Sequence, residues 1–363
     1  LYPFRDIGYT ESATLPILNL SFYPNERGPY NLDATDVTSE GLLKNPEKRW
    51  GGITRKMDVR DFEASNIEYI EFWLMDPFVY NDTEPNSGGD LYFNLGEISE
   101  DVLKDGKKFY ENGLPIDDDP TAIGYSVWGK YPTRQSTVYA FDDNLGDIAR
   151  KKQDVGLNGL STEEEFQFKT YADYLVEFRS KLSATAITDL QNDPFSPFND
   201  PAGDTYHFYR GSDYDQQQKG ILDRYKYYNN TEGNSVATDQ TSESYSTAAR
   251  NLPDVEDIDQ DNTLNETEAY FQYKINLRPG EMNIGKNYIV DETQGKVTWY
   301  QFKVPIRQHD KKVGTIQDFK SIRFMRMFLT NFKQTAHLRF GTLQLVRGDW
   351  RVYEQALGQN NTT

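Results

Sequence analysis

Apolar side chains fall in short β-branched and aromatic runs near both ends of the chain, bounded by Gly, Pro, Asn and Asp. That is the pattern of β-strands. After Asp61-Phe62 comes Ile67-Glu-Tyr-Ile-Glu-Phe-Trp-Leu-Met-Asp-Pro-Phe78, then Leu91-Tyr-Phe-Asn-Leu-Gly-Glu-Ile98. Far downstream, Asp318-Phe319 leads into Ile322-Arg-Phe-Met-Arg-Met-Phe-Leu-Thr-Asn-Phe332 and then Leu338-Arg-Phe-Gly-Thr-Leu-Gln-Leu345. A run opening on Trp precedes each copy, at 50–57 and 299–306, and a further strand candidate precedes each of those, at 17–23 and 270–277. Four strands thus recur in the same order, which identifies an internal repeat.

The runs 67–75 and 322–329 are nearly continuous in apolar side chains, broken only by Glu68 and Glu71 in one and Arg323 and Arg326 in the other. Such strands suit the middle of a sheet covered on both faces. The alternation slips by one residue beside Gly96 and again beside Gly341, which predicts β-bulges. The expected fold is mainly β: two related antiparallel β-sandwiches of jelly-roll, galactose-binding-like type at 1–150 and 266–363. A helical and loop connector over 151–265 joins them.

In the connector, residues 162–190 contain no Gly or Pro. Phe168, Tyr171, Ala172, Leu175, Phe178 and Leu182 are spaced three and four apart, one face of an amphipathic helix. Thr162 and Glu165 offer a capping box, and Asn192-Asp193-Pro194 a stop. Pro194, Pro197 and Pro201 read as an extended linker. Residues 206–231 predict a short helix, and the Ser/Thr/Gly-rich stretch 232–250 a flexible loop.

Composition narrows the function. The 363 residues carry a net charge of −18, which disfavours binding to nucleic-acid phosphates or to anionic lipid. Aromatic residues make up 14% of the chain, enough to build cores despite a mean hydropathy of −0.78. Without cysteine there is no disulfide, thiolate metal site or cysteine nucleophile. No apolar stretch approaches the ~20 residues of a membrane helix. His207, His309 and His337 share no spacing and read as surface or packing residues. No nucleophile elbow, phosphate loop or zinc-protease motif is present, so no catalytic residue is assigned.

The stretch 257–268 follows calcium-loop spacing. Asp257, Asp259 and Asp261 stand at positions 1, 3 and 5, the Thr263 carbonyl at 7, Leu264 at 8 and Glu268 at 12. Hard Ca²⁺ takes six to eight oxygens, and alternating side chains in a tight turn can converge on it. Asn262 replaces the usual Gly at position 6 but tolerates the left-handed conformation. A weaker candidate has Asp154, Asn158 and Glu165 at positions 1, 5 and 12. Its third position is Gly156, and a glycine turn feeding the capped helix accounts for the same residues. Among the aromatics, Tyr227, Tyr228 and Trp128 are candidates for stacking on sugars, the alternative function being a glycan-binding module. The stretches 206–210 and 223–228 mix Tyr and Arg in the manner of protein contacts.

Longer blocks carry a resemblance. Tyr23-Pro-Asn-Glu-Arg-Gly-Pro-Tyr-Asn31, Glu47-Lys-Arg-Trp-Gly-Gly-Ile53, the block 61–78, Gly89-Asp-Leu-Tyr-Phe-Asn-Leu-Gly-Glu-Ile-Ser-Glu-Asp101, Tyr209-Arg-Gly211, residues 221–235 and Pro253-Asp-Val-Glu-Asp257 closely resemble the SprA (Sov) family. This family serves gliding motility and type IX secretion in Bacteroidota. The resemblance implies a segment of a very large outer-membrane β-barrel translocon. The segment itself would be soluble, on the periplasmic or extracellular side. It also implies partners: other segments of the parent barrel, translocon subunits and secreted cargo. It brings no catalytic residues, so the chain is expected to be a non-enzymatic structural and interaction module.

Overall fold

The computed structural model describes residues 8, 14–79, 85–134, 140–141, 147–237 and 243–348. The first strands are β1 (Ile17–Phe22), β2 (Trp50–Lys56), β3 (Ile67–Met75) and β4 (Gly89–Glu97). A small hairpin follows, β5 (Ile123–Tyr125) and β6 (Lys130–Pro132). Short helices come next: α1 (Asp147–Gln153), α2 (Thr162–Glu165), α3 (Lys169–Lys181), α4 (Ala184–Gln191), α5 (Ser212–Gln216) and α6 (Ile221–Arg224). The chain then returns to strands, β7 (Ala269–Leu277), β8 (Ile289–Gln294), β9 (Thr298–Pro305), β10 (Lys311–Val313), β11 (Phe324–Thr330) and β12 (Ala336–Arg347).

The fold is mainly β and antiparallel, as expected, but the two ends of the chain do not build a sandwich each. They share one. The first five-stranded sheet has the order β1-β12-β3-β9-β8, the second β10-β7-β4-β11-β2. None of β1 to β4 pairs with another of the four; each lies against strands from the far end. The repeat is nonetheless real. Exchanging each strand for its counterpart (β1 for β7, β12 for β4, β3 for β11, β9 for β2) turns β1-β12-β3-β9 of the first sheet into β7-β4-β11-β2 of the second, and the edge strands β8 and β10 stand outside the repeat. The repeat therefore appears as a pseudo-two-fold sandwich with exchanged strands. Periodicity reports whether a run is a strand and which face is apolar. It carries no information about the partner strand, and neighbours in sequence pair only about two-thirds of the time.

Alternation packs one core between the sheets. On β7, Ala269, Phe271, Tyr273, Ile275 and Leu277 point inward, and on β9 Tyr300, Phe302 and Val304. Phe72 of β3 stacks on Phe302 at 4.8 Å, meets Phe340 at 5.5 Å, and reaches across to Phe93 of the other sheet at 5.6 Å. β3 and β4 are the central strands, which accounts for their near-continuous burial. The bulge predicted beside Gly341 is present as a register shift between Gly341 and Gln344, with Thr342 left-handed at φ 51°. The one predicted beside Gly96 is absent: pairing with β7 runs through that residue unshifted, and pairing with β11 reaches it unshifted and ends there. Gly96 answers instead to close approach, since a Cβ there would lie 2.3 Å from the Ala269 carbonyl oxygen.

The expected helix over 162–190 is three helices. Phe168 and Leu182 are extended, and the Ser183 hydroxyl accepts the Ala186 N–H at 3.2 Å to start α4. The capping box sits one residue early, on Ser161 and Glu164, which releases Glu165 for another role. Tyr174 and Phe178 of α3 pack on Ala34, Val37 and Leu43, from the segment between β1 and β2, and so tie the connector to the sandwich. The short helix expected in 206–231 is two, α5 and α6. The stretch 232–250 is not wholly loose, since Asn234 and Ser235 are buried.

Candidate functional site: buried carboxylates of the connector

Connector backbone has few ladders, yet its buried N–H groups need acceptors. Carboxylates supply them. Glu256 accepts from Val102 N–H at 2.9 Å and from Phe109 N–H at 3.0 Å, one on each oxygen. Glu111 accepts from Gly156 (3.2 Å) and Asp254 (2.7 Å), and Glu100 from Ile258 (2.6 Å) and Asn265 (3.3 Å). Each clamps segments distant in sequence. Burial pushes the Glu256 carboxyl up to about 8 and Glu100 to about 6. Burial, then repulsion from Asp254 and Asp154, holds Glu111 well above the ordinary range.

The stretch 257–268 splits between different partners. Asp257 accepts from Asp261 N–H (3.0 Å) and Asn262 N–H (2.7 Å) and is paired with buried Lys108 at 3.0 Å. Asn262 is left-handed, as the spacing requires, with φ 69°. Asp259 pairs with Arg60 (3.1 Å) and Arg323 (2.6 Å). Arg323 also holds Asp261, whose carboxyl is lowered chiefly by the Thr263 hydroxyl and then by Arg323. Glu268 turns away to Arg326 at 2.7 Å. Asp257 and Asp259 do converge, but with Glu100, one oxygen of each lying within 4.8 Å of the others.

The weaker candidate divides too. Asp154 accepts from Ser235 N–H at 3.0 Å and lies beside Asp254, its carboxyl raised by burial to about 7. Asn158 donates to Glu165 at 2.6 Å, while its own oxygen accepts from Leu160 N–H. Glu165 joins Asp200 and Asp204, one oxygen of each within 4.8 Å of the others and all three buried. Glu232 is the fourth acid there; it accepts from the N–H (2.8 Å) and hydroxyl (2.6 Å) of Thr162. Burial raises Glu165 to about 8 and Glu232 to about 7, and holds Asp204 well above the ordinary range.

The histidines stay apart. His207 stacks on Tyr214 and meets Asp213 at 2.8 Å, His309 packs on Phe271, and His337 bonds Ser21. The sugar-stacking candidates form no common row. Tyr227 is covered by Phe195 at 3.7 Å, Tyr228 packs among Tyr209 and Tyr225, and Trp128 lies in the β5–β6 turn.

The SprA_N family, described as motility related/secretion protein, matches residues 173–363. The chain belongs to this family. No curated protein matches it significantly. The SprA_N match takes in Asp200, Asp204, Glu232 and the whole of 257–268, together with β7 to β12. Glu100, Glu111 and Glu165 precede it. Sequence reasoning singled out Glu165 but missed Glu100, Glu111, Asp200, Asp204, Glu232 and Glu256. In a chain with 57 acidic residues, an isolated Asp or Glu carries no local sign that it will be buried.

Proposed function

We propose that this chain is a non-enzymatic structural and interaction module of a secretion and motility protein. Its parent is a type IX translocon in the outer membrane of Bacteroidota. The family match carries the reading, and the extended SprA-like blocks supply its finer terms. The use of the acids supports the absence of catalysis. The carboxylates of Glu100, Glu111 and Glu256 are turned inward on loop N–H groups, where they serve as acceptors for the backbone.

The contact surface is the aromatic cluster around α6. Tyr209 stacks on Tyr225 at 4.9 Å, Tyr228 meets both edge-on, and Arg210 lies over Tyr209 at 5.4 Å. Beside them Ile221 is 64% exposed and Tyr225 43%, an apolar and arginine-bearing patch of the kind favoured at protein contacts. Here the module docks translocon subunits or cargo.

The test is the double substitution Ile221→Asp and Tyr225→Asp in the full-length parent, assayed for cargo export and gliding. Export and gliding should fall while parent abundance stays normal. Undiminished export with the folded variant would remove this surface from the function.

A further inference from the structure

Three groups of buried acids stand in and against the connector, and they differ in what balances their charge. Around Glu100, Asp257 and Asp259 stand Lys108, Arg60 and Arg323. Beside Glu111, Asp154 and Asp254, Arg250 is paired to Asp254. The group of Glu165, Asp200, Asp204 and Glu232 has no such balance: among the described residues, no lysine or arginine is ion-paired to any of the four. The Arg27 guanidinium donates instead to the main-chain carbonyls of Asp200 and Pro201. Charge buried without a counterion is strongly unfavourable.

A second observation points to a ligand. Asp204 is fully buried, and its Oδ1 has no hydrogen-bond partner. The other oxygen accepts from the Tyr30 hydroxyl at 2.6 Å. Asp259 also has one unpartnered oxygen, but arginines hold the other. The remaining ligand side chains are fixed from outside: Asn158 and Ala202 N–H hold Glu165, and Gly203 and Thr205 N–H hold Asp200. The carboxylates are thus positioned before any ion arrives. Gly156, left-handed at φ 74°, lets the backbone pass against Asp204, where a Cβ would lie 2.2 Å from Oδ2.

We propose that Glu165, Asp200 and Asp204 bind one Ca²⁺ ion, with Glu232 adding negative charge beside them. The donors are all hard oxygens, and a mutual spacing within 4.8 Å suits an ion whose bonds to oxygen run about 2.3–2.6 Å. Mg²⁺ keeps several waters of its shell, which residues so thoroughly enclosed do not accommodate. The ion links the C-terminal residue of α2 to the turn at 200–205, two segments distant in the chain. This site is distinct from the loop whose spacing resembles a calcium motif.

The experiment uses the whole chain stripped with EDTA, with terbium as the probe, excited through tyrosine and displaced by Ca²⁺ or Mg²⁺. Tyr30, bonded to Asp204, serves as the sensitiser. Sensitised emission should appear and be displaced by Ca²⁺ at concentrations where Mg²⁺ has no effect. Asp204→Asn should weaken Ca²⁺ binding by about tenfold or more. Asp261→Asn, in the calcium-like loop, should leave it unchanged. If Asp204→Asn fails to fold, Asp200→Asn replaces it with the same expected weakening. A folded, stripped chain that shows neither emission nor heat on addition of Ca²⁺ overturns the proposal. So does binding lost with Asp261→Asn but kept with Asp204→Asn.

Discussion

Lys108 and Asp257 show what a single residue decides in this molecule. Their side chains are 7% and 0% exposed and meet at 3.0 Å. Removing the cation strands a carboxylate with no route to water, so Lys108→Met should lower stability by roughly 3–5 kcal/mol. Arg55 and Asp58, at 75% and 79% exposure, should change stability by at most about 0.5 kcal/mol when broken. Urea melts of the two variants check the contrast, and equal effects would contradict it. The acid-loaded connector also sets a pH dependence. Burial raises Glu256 and Glu165 to about 8 and Glu232 to about 7, while a glutamate in the unfolded chain titrates near ~4.3. The folded form then holds protons the unfolded chain has lost. The stability contributed is complete below about pH 4 and is lost as pH rises toward about 8. In EDTA, the chain should melt at a higher temperature near pH ~6 than near pH ~9, and a flat profile across that window would refute the assignment.

At the scale of elements, the hydrophobic pattern was a good guide to what forms and a poor one to where it stops. Residues 67–75 and 324–330 emerge as strands because their apolar content and β-branching need no tertiary information. The breaks in the helical stretch had no Gly or Pro to announce them. The break before α4 arises at Ser183, whose hydroxyl takes a backbone N–H, a signal hidden among many serines, and the break before α3 falls at extended Phe168 with no side-chain cap. Gly96 and Gly341 looked alike in sequence, yet one marks a close approach and the other a bulge. Only the neighbouring strand distinguishes them. Phe72, where rings from both sheets meet, should be the most costly core position to truncate. Phe72→Ala is expected to lose about 3–5 kcal/mol, read by the denaturant midpoint. A loss below about 1 kcal/mol would mean the core collapses around the gap.

For the whole molecule, the repeat was legible, and the assignment of one sandwich to each end was not. Partner choice depends on contacts spanning most of the chain, which no local window contains. The SprA_N match at 173–363 contains β7 to β12 without β1 to β4. In that piece β11 and β12 lose both partners, while β7 keeps only β10 and β9 only β8. Residues 173–363 alone should therefore give the circular dichroism of an unfolded chain, and adding a 1–172 fragment should restore β structure. A cooperatively folded 173–363 fragment would show that the exchanged pairing is dispensable.

Interleaving also governs how this module answers force. Because early and late strands interleave in both sheets, tension drawn through the chain cannot peel away one half while leaving the other intact. It must shear both sheets together. Stretched in an optical trap, the sandwich should give way in one large extension step instead of two smaller ones. A segment built this way stays whole until it fails outright, a useful habit in a motility- and secretion-related family.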